Sequence, residues 1–246
     1  MLVQMSSGRI PDLSIEEMFF SAGHALVAGM DEVGRGAWAG PLTVGVVVVE
    51  SSSGIQPAGL RDSKDLSEKA REAIFPAVAG WCRTWSIGHA TNSECDDLGM
   101  TGALRLAARN AIRALPPHLM PSALILDGAV NFLADRPQPM GMDARRDVGV
   151  MDASVDAGMS VGIGAMEVKA MPHADSTCAS VAAASVLAKV TRDRIMRTLA
   201  ELYPVYDLDR CKGYHSPAHV MGLASYGLSD IHRRSWSFAS RFADSG

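Results

Sequence analysis

The chain has 246 residues, 48% apolar and 20% charged, with a formal net charge of −4. This length suits one large domain or one domain with an appendage, and the apolar fraction excludes wholesale disorder. No apolar run approaches the roughly 18–20 residues of a membrane span. The N-terminal segment carries Asp12, Glu16 and Glu17 and has no basic start before an apolar block, so a secretory signal is not expected.

Four scattered cysteines, Cys82, Cys95, Cys178 and Cys211, have no CxxC spacing. They read as reduced, cytoplasmic and structural, not as a zinc site or a disulfide frame. The net charge offers nucleic acid no global attraction. From Lys189 to the end, however, nine Lys/Arg stand against six Asp/Glu, a local +3 that leaves −7 elsewhere. A chain split in this way can hold a polyanion by one face.

Residues 1–23 show little periodicity beyond a short helical stretch at Ser14–Phe20, and no function is assigned to them. A strand then runs to about Glu32. Asp31 and Glu32 are adjacent, and neighbouring side chains on a regular strand point to opposite faces. They are expected to serve one site only if the strand ends or kinks there. Gly34-Arg35-Gly36 follows, glycines that permit close approach of backbone to a ligand around an arginine suited to phosphate. Read alone, DEVGRG is equally a hairpin turn with exposed charges. The unbroken Leu42–Val49 run, with Val44 and Val46–Val49, predicts a strand buried on both faces.

Asp62-Ser63-Lys64 precedes a helix from Ser67 to about Trp81. Ser67 is its expected N-cap, or Asp65 and Glu68 a capping box, with Pro76 expected to bend or shorten it. Thr84–Ala90 reads as a third strand. Asn92 or Ser93 is the expected cap of a long helix to about Leu115, its apolar face including Leu98, Leu104, Ala107, Ala111 and Ile112. Ala123–Leu126 is a short apolar strand ending in Asp127-Gly128. The dipeptide is a turn signal, yet a carboxylate at a strand's C-terminal end also stands where α/β sheets meet ligands. Asp143, Asp147, Asp152 and Asp156 match no EF-hand spacing and read as solvated.

A strand is predicted at Val161–Val168. Asp175 follows, read either as a third acidic landmark or as a charge favouring a helix N-terminus. A helix is predicted from Ala179 to about Leu202, with a basic tail in Lys189, Arg192, Arg194 and Arg197, and Pro204 ends it. Beyond lie Cys211-Lys212-Gly213-Tyr214, a helix around Pro217–Tyr226, and His232-Arg233-Arg234-Ser235-Trp236.

Taken together, these blocks resemble the ribonuclease HII (type 2 ribonuclease H) family from about Ala28 to Phe238. They are DEVGRG at 31–36, Asp62-Ser63-Lys64, Leu126-Asp127-Gly128, the run from Ala183 to Asp193, Lys212-Gly213-Tyr214 with His219, and His232-Arg233-Arg234-Ser235. Each is weak alone, but they occur in register.

The resemblance implies an RNase H-like α/β fold, a mixed five-stranded sheet flanked by helices with a small C-terminal helical segment. Residues 24–203 would form the catalytic domain, 204–246 the substrate-binding segment and 1–23 an extension. It also implies metal-binding and catalytic roles for Asp31, Glu32, Asp127 and Asp175. Nucleic-acid contacts fall to Gly34, Arg35, Gly36, Lys64, Lys212 and Tyr214. The glycine–arginine–glycine loop would read the 2′-hydroxyl, Tyr214 would stack on the sugar beyond it, and Lys64 would meet phosphate. The expected cofactors are two Mg²⁺ or Mn²⁺ ions, and the expected substrates are RNA–DNA hybrids and ribonucleotide-containing duplex DNA, bound by a monomer.

The chain departs from the family pattern in three places. His173 stands where a lysine is usual, His215-Ser216 follow the KGY block, and Trp236 replaces a phenylalanine. The chemistry is intelligible without the family: an Asp/Glu cluster is the cage that hard cations need, and two such ions can activate a water and stabilise a leaving oxygen. Four close carboxylates repel, so without metal one should hold a proton. A strand transferase or junction resolvase would share the acids but has no use for the GRG and KGY blocks. An inactive binding module is the other alternative. No GxGxxG or GxxxxGK[ST] follows a strand.

Overall fold

The computed structural model describes residues 10–134 and 166–242. Its five strands are β1 (Leu26–Val33), β2 (Leu42–Glu50), β3 (Thr84–Ala90), β4 (Ala123–Asp127) and β5 (Glu167–Met171), in the sheet order β3-β2-β1-β4-β5. The pairs β3–β2 and β2–β1 are antiparallel, whereas β1–β4 and β4–β5 are parallel. β2 is buried at every position but the last, which is why its sequence shows no polar alternation.

Helices cover both faces. α1 (Ser14–Ser21), α2 (Glu68–Trp81) and α4 (Ala179–Leu202) enclose one core with Val27, Val47, Val49 and Ile125. α3 (Asn92–Arg113) closes the other over Ala28, Met30, Val44, Val46 and Leu124. α4 approaches the sheet closely because two strand glycines face it. A Cβ on Gly29 would lie 2.3 Å from Ser180, and one on Gly45 would lie 2.6 Å from the Ala184 carbonyl. A third cluster joins α5 (Leu208–Cys211) and α6 (Pro217–Tyr226) to the end of α4, through Met196, Tyr206, Leu208, Leu223 and Phe238.

Of the local expectations, the Ser67 cap holds and several others change. Ser67 caps α2, its Oγ accepting from Ala70 N at 3.2 Å, and the helix continues through Pro76 to Trp81. Thr91 caps α3 in place of Asn92 or Ser93. Its hydroxyl accepts from Glu94 N, and the Glu94 carboxylate accepts from Thr91 N, a reciprocal box. Gly99 at φ +65° kinks that helix, so Leu98 turns out to 37% exposure and leaves the apolar face. The strand expected to end at Val168 runs on to Met171, and its expected start lies outside the described residues, as do Asp143, Asp147, Asp152 and Asp156.

The N-terminal segment packs on the start of α4. Asp12 bridges Cys178, and Glu16, fully buried, accepts from Ser180 N at 2.8 Å and Ser180 Oγ at 2.6 Å. Burial raises the Glu16 carboxyl above its ordinary range, against the pull of these two bonds.

Candidate active site

β1 and β4 run parallel, so their C-terminal ends open on the same edge of the sheet, and Asp31 and Asp127 sit there. The last paired residues are Met30 and Leu126, one position before each acid. β1 neither ends nor kinks at the acids on its β2 side, where Asp31 pairs with Gly45, Glu32 with Val44 and Val33 with Thr43. Only its pairing with β4 stops, at Met30, and beyond that point both acids lie close enough to Asp127 for its charge to act on each. Asp31 shares its face with Gly29 and looks toward α4, whereas Glu32 lies on the other.

Asp31 is 4% exposed; its Oδ1 accepts from Glu32 N at 2.8 Å, and the Ser185 hydroxyl of α4 bonds its carboxyl. Burial pushes Asp31 up to about 8, reinforced by the charges of Glu32 and Asp127 and opposed by Ser185 and Lys64. Burial also raises Glu32; Arg35, 3.6 Å away, works against this and Asp127 with it. The expected proton on a metal-free acid therefore falls on Asp31.

Asp127 ends β4, and its Oδ1 accepts from Ala174 N at 2.8 Å. This bond ties it to the one-turn 3-10 helix Ala174–Ser176 that carries Asp175. His173 enters that turn with left-handed backbone, φ +60°, and its carbonyl accepts from Ser176 N and Oγ. Asp175, 4% exposed, accepts from Lys64 Nζ at 2.9 Å. Partial burial lowers the Lys64 pKa, but the Asp175 bond and the charges of Asp175, Asp62 and Asp31 outweigh it and hold the ammonium above its ordinary range.

Asp62, named in the Asp62-Ser63-Lys64 block but given no role there, is a further acid at the site. It caps its own turn through Lys64 N, and its Oδ2 lies 3.8 Å from Lys64 Nζ. Burial, and then Asp175, raise its carboxyl pKa. The same turn joins the Asp31 side of the site, since Ser63 Oγ is 2.8 Å from Ser185 Oγ.

The Gly34–Gly36 loop is divided in its roles. Gly34 has φ +88°, and its N–H donates to Tyr214 Oη at 3.0 Å. Its carbonyl accepts from the fully buried Arg233 at 2.7 Å, and the Arg35 carbonyl accepts from the same guanidinium at 2.9 Å. The Arg35 side chain is 63% exposed, and the space where a Gly36 Cβ would stand is open. A second fully buried arginine, Arg192, donates to the carbonyls of Pro41, Lys212 and Ala39 and lies 5.3 Å from the Tyr214 ring. Neither shows a structural role in the sequence alone, where Arg192 stands only in the basic tail of α4 and Arg233 only in the C-terminal block.

Lys212 faces inward. It is 5% exposed, donates to the Asp209 carbonyl and lies 3.4 Å from Glu68. In this geometry it supports the loop that carries Tyr214 and does not present its ammonium to a bound strand. His215 is exposed, its ring edge-on to Trp38 at 4.8 Å, and Trp236 packs beneath the Arg233 guanidinium at 4.9 Å.

Among the described residues, no three Asp, Glu, His or Cys side chains already form a cage for an ion. The donor set nevertheless suits a hard divalent cation. Carboxylates of Asp31, Glu32 and Asp127 repel one another, burial leaves Asp31 short of positive charge, and an ammonium already stands against Asp175 as a cation would.

The model of the family "Ribonuclease HII" matches residues 28–239. Ribonuclease HII of Streptomyces avermitilis is 37% identical over 220 residues, 89% of this chain and 79% of its own. That of Thermus thermophilus is 40% identical over 220 residues, 89% of this chain and 90% of its own. The crystal structure of ribonuclease H2 from Pyrococcus horikoshii superposes with a TM-score of 0.64 at 27% identity, over 89% of this chain and 99% of that one. The mixed five-stranded sheet with helices on both faces is thus that of a ribonuclease H, a nuclease and hydrolase. Within that class, the chain belongs to the ribonuclease HII family.

Proposed function

We propose that this ribonuclease hydrolyses the RNA strand of RNA–DNA hybrids and cuts on the 5′ side of ribonucleotides embedded in duplex DNA. One observation carries the finer part: the Tyr214 hydroxyl accepts from the Gly34 amide at 3.0 Å. The aromatic ring suited to a sugar and the loop suited to a 2′-hydroxyl are therefore one unit, two residues along the chain from Glu32.

Asp31, Glu32, Asp127 and Asp175 would hold two Mg²⁺ or Mn²⁺ ions, which when bound supply an activated water and charge at the leaving oxygen. The protein's own part is orientation and discrimination. Lys64, its side chain 72% exposed, is free to exchange Asp175 for a phosphate oxygen. Gly36 leaves room for the strand, and Arg35 adds charge beside it. The 2′-hydroxyl marks RNA within DNA and is read without acting as nucleophile. Products then end in 3′-hydroxyl and 5′-phosphate, not in a 2′,3′-cyclic phosphate. Tyr214 against a deoxyribose disfavours a ribose at the next position, which places the cut at an RNA–DNA junction.

The reading extends to a monomer, and to the cytoplasm, the latter in keeping with four free cysteines; among the described residues no helix is long and apolar enough to cross a membrane. The deciding experiment maps products on duplex DNA containing one ribonucleotide, with Mg²⁺, with Mn²⁺ and with chelator. Cleavage of an all-DNA duplex, or cyclic phosphate ends, would overturn it.

A further inference from the structure

Two histidines lie buried at 0% exposure in the C-terminal segment, and their bonds admit only one arrangement of protons. His219 Nδ1 is 2.9 Å from the Tyr214 carbonyl, which can only accept, so Nδ1 carries a proton. At the other end, His232 Nδ1 is 3.1 Å from Ser229 N, a main-chain amide that can only donate, so Nδ1 bears a lone pair. A neutral His232 then has its proton on Nε2, and a neutral His219 has its lone pair on Nε2. These two nitrogens face each other at 3.0 Å. The result is one directed chain, from Ser229 N–H through His232 and His219 to the Tyr214 carbonyl.

We propose that His219 and His232 are positioning residues for cleavage at RNA–DNA junctions: their directed hydrogen-bond relay fixes the Tyr214 main chain, and through Tyr214 the Gly34 amide, while both imidazoles are neutral. The inference rests on the reading that Tyr214 meets the substrate sugar. The relay reaches the site because His232 also bridges Ala39, within the loop that follows Gly36. Tyr214 is thus held at its carbonyl by His219, at its hydroxyl by Gly34, and beside its ring by Arg192.

Protonation of either ring turns an acceptor into a donor. On His232 it sets N–H against the Ser229 amide, and on His219 it sets Nε2–H against the Nε2–H of His232. The surroundings oppose both events. Burial lowers His219, the Tyr214 carbonyl and Asp207 counteract it, and His215 adds to it. Burial lowers His232 to about 4, helped by His219 and Arg234 and opposed by Ser229. Tyr206 lies edge-on to both rings, its own hydroxyl engaged by the Gly227 carbonyl, so it supplies no competing proton.

The test compares a duplex with one ribonucleotide and a continuous hybrid, using the full chain with Mn²⁺. His219→Phe should lower the junction-to-hybrid ratio of kcat/KM about fivefold, close to 1 kcal/mol at 1.36 kcal/mol per decade. His219→Asn, which keeps a side-chain N–H for the Tyr214 carbonyl, should restore most of that ratio. In a Tyr214→Ala background, His219→Phe should change the ratio no further. An equal loss on both substrates by His219→Phe, with Tyr214→Ala still shifting the ratio, would overturn the relay alone. A Tyr214→Ala variant with an unchanged ratio would overturn the sugar-stacking reading and the proposal with it. Independently of any variant's folding, ¹⁵N spectra of the native protein at pH 7 should show protons on His219 Nδ1 and His232 Nε2. The opposite tautomers would overturn the relay.

Discussion

The ammonium of Lys64 lies 2.9 Å from Asp175 Oδ2, so an acid expected to bind metal is already occupied by a cation of the protein's own. On the proposed reading a divalent ion would compete with Lys64 for Asp175 and release Lys64 to a phosphate. Lys64→Gln should tighten Mn²⁺ binding a few-fold in calorimetry, the scale of an ion pair whose lysine end is open to solvent, at most about 1 kcal/mol. The same variant should lose roughly 10- to 150-fold in kcat/KM, the equivalent of one charge-assisted hydrogen bond of about 1.5–3 kcal/mol. Weaker metal binding would show that Lys64 organises the acids and does not compete with the ion.

Asp31 sets a pH dependence whose sign is opposite to that of an ordinary carboxylate. Its folded pKa stands at about 8, against 3.8 for a free Asp. Between those values the folded chain binds more protons than the unfolded one, so this stability is present at low pH and is lost as pH rises toward about 8. In chelator, the Tm of the native protein should fall relative to that of Asp31→Asn across this window. Asp31→Asn, and equally Asp127→Asn, should abolish turnover while leaving the fold intact. Parallel Tm curves for Asp31→Asn and the native protein would mean that Asp31 is ionised in the folded chain.

The two glycines of the loop should separate cleanly. Gly34 is left-handed, and a Cβ there would lie 2.3 Å from Arg192 Nε and 2.8 Å from the Pro41 carbonyl. Gly34→Ala should cost about 1–3 kcal/mol and lower Tm. Gly36 has nothing within 4 Å of such an atom. Gly36→Val should keep its Tm and its ion binding and lose cleavage of ribonucleotide-containing duplexes. Unchanged cleavage would reduce the loop to a hairpin turn.

Tyr214→Ala should lose about 1–3 kcal/mol of stacking, a size taken from base–aromatic contacts. That is roughly 5- to 150-fold in rate where the contact is made in the transition state. The loss should be larger at an RNA–DNA junction than within a continuous hybrid. Tyr214→Phe, which keeps the ring and removes the acceptor for Gly34 N–H, should show a smaller loss, of about one hydrogen bond.

What could be read from the chain was what neighbouring residues decide. The bounds of β3 and α4, and the cap at Ser67, follow from periodicity, Pro204 and a hydroxyl beside the first turn. The four acids stood out only through the family resemblance, because locally DEVGRG reads equally as a hairpin turn, Asp127-Gly128 as a turn signal and Asp175 as a helix N-terminal charge. The kink at Gly99 and the cap at Thr91 were missed because adjacent Thr91, Asn92 and Ser93 are all competent caps, and only the backbone path chooses among them. The larger misses are charges. Arg192 and Arg233 look like surface residues until the fold brings the carbonyls of Ala39, Pro41, Gly34 and Arg35 to meet them. Burial of a charge depends on such distant acceptors, and no local pattern announces them. Asp62 was hidden similarly: its partners, Lys64 apart, come from beyond residue 170.

The order of the sheet also bears on when the proposed site is assembled. The hairpin pairs Val33 with Thr43 across a short loop, whereas β4 meets β1 by bringing Ala123 back to Val27. Closing the longer loop costs roughly 2 kcal/mol more in chain entropy, so the antiparallel half is the cheaper one to form. A nascent or half-folded chain then holds Asp31 and Glu32 without Asp127 or Asp175. The four acids proposed to hold metal are therefore brought together only once β4 has joined β1.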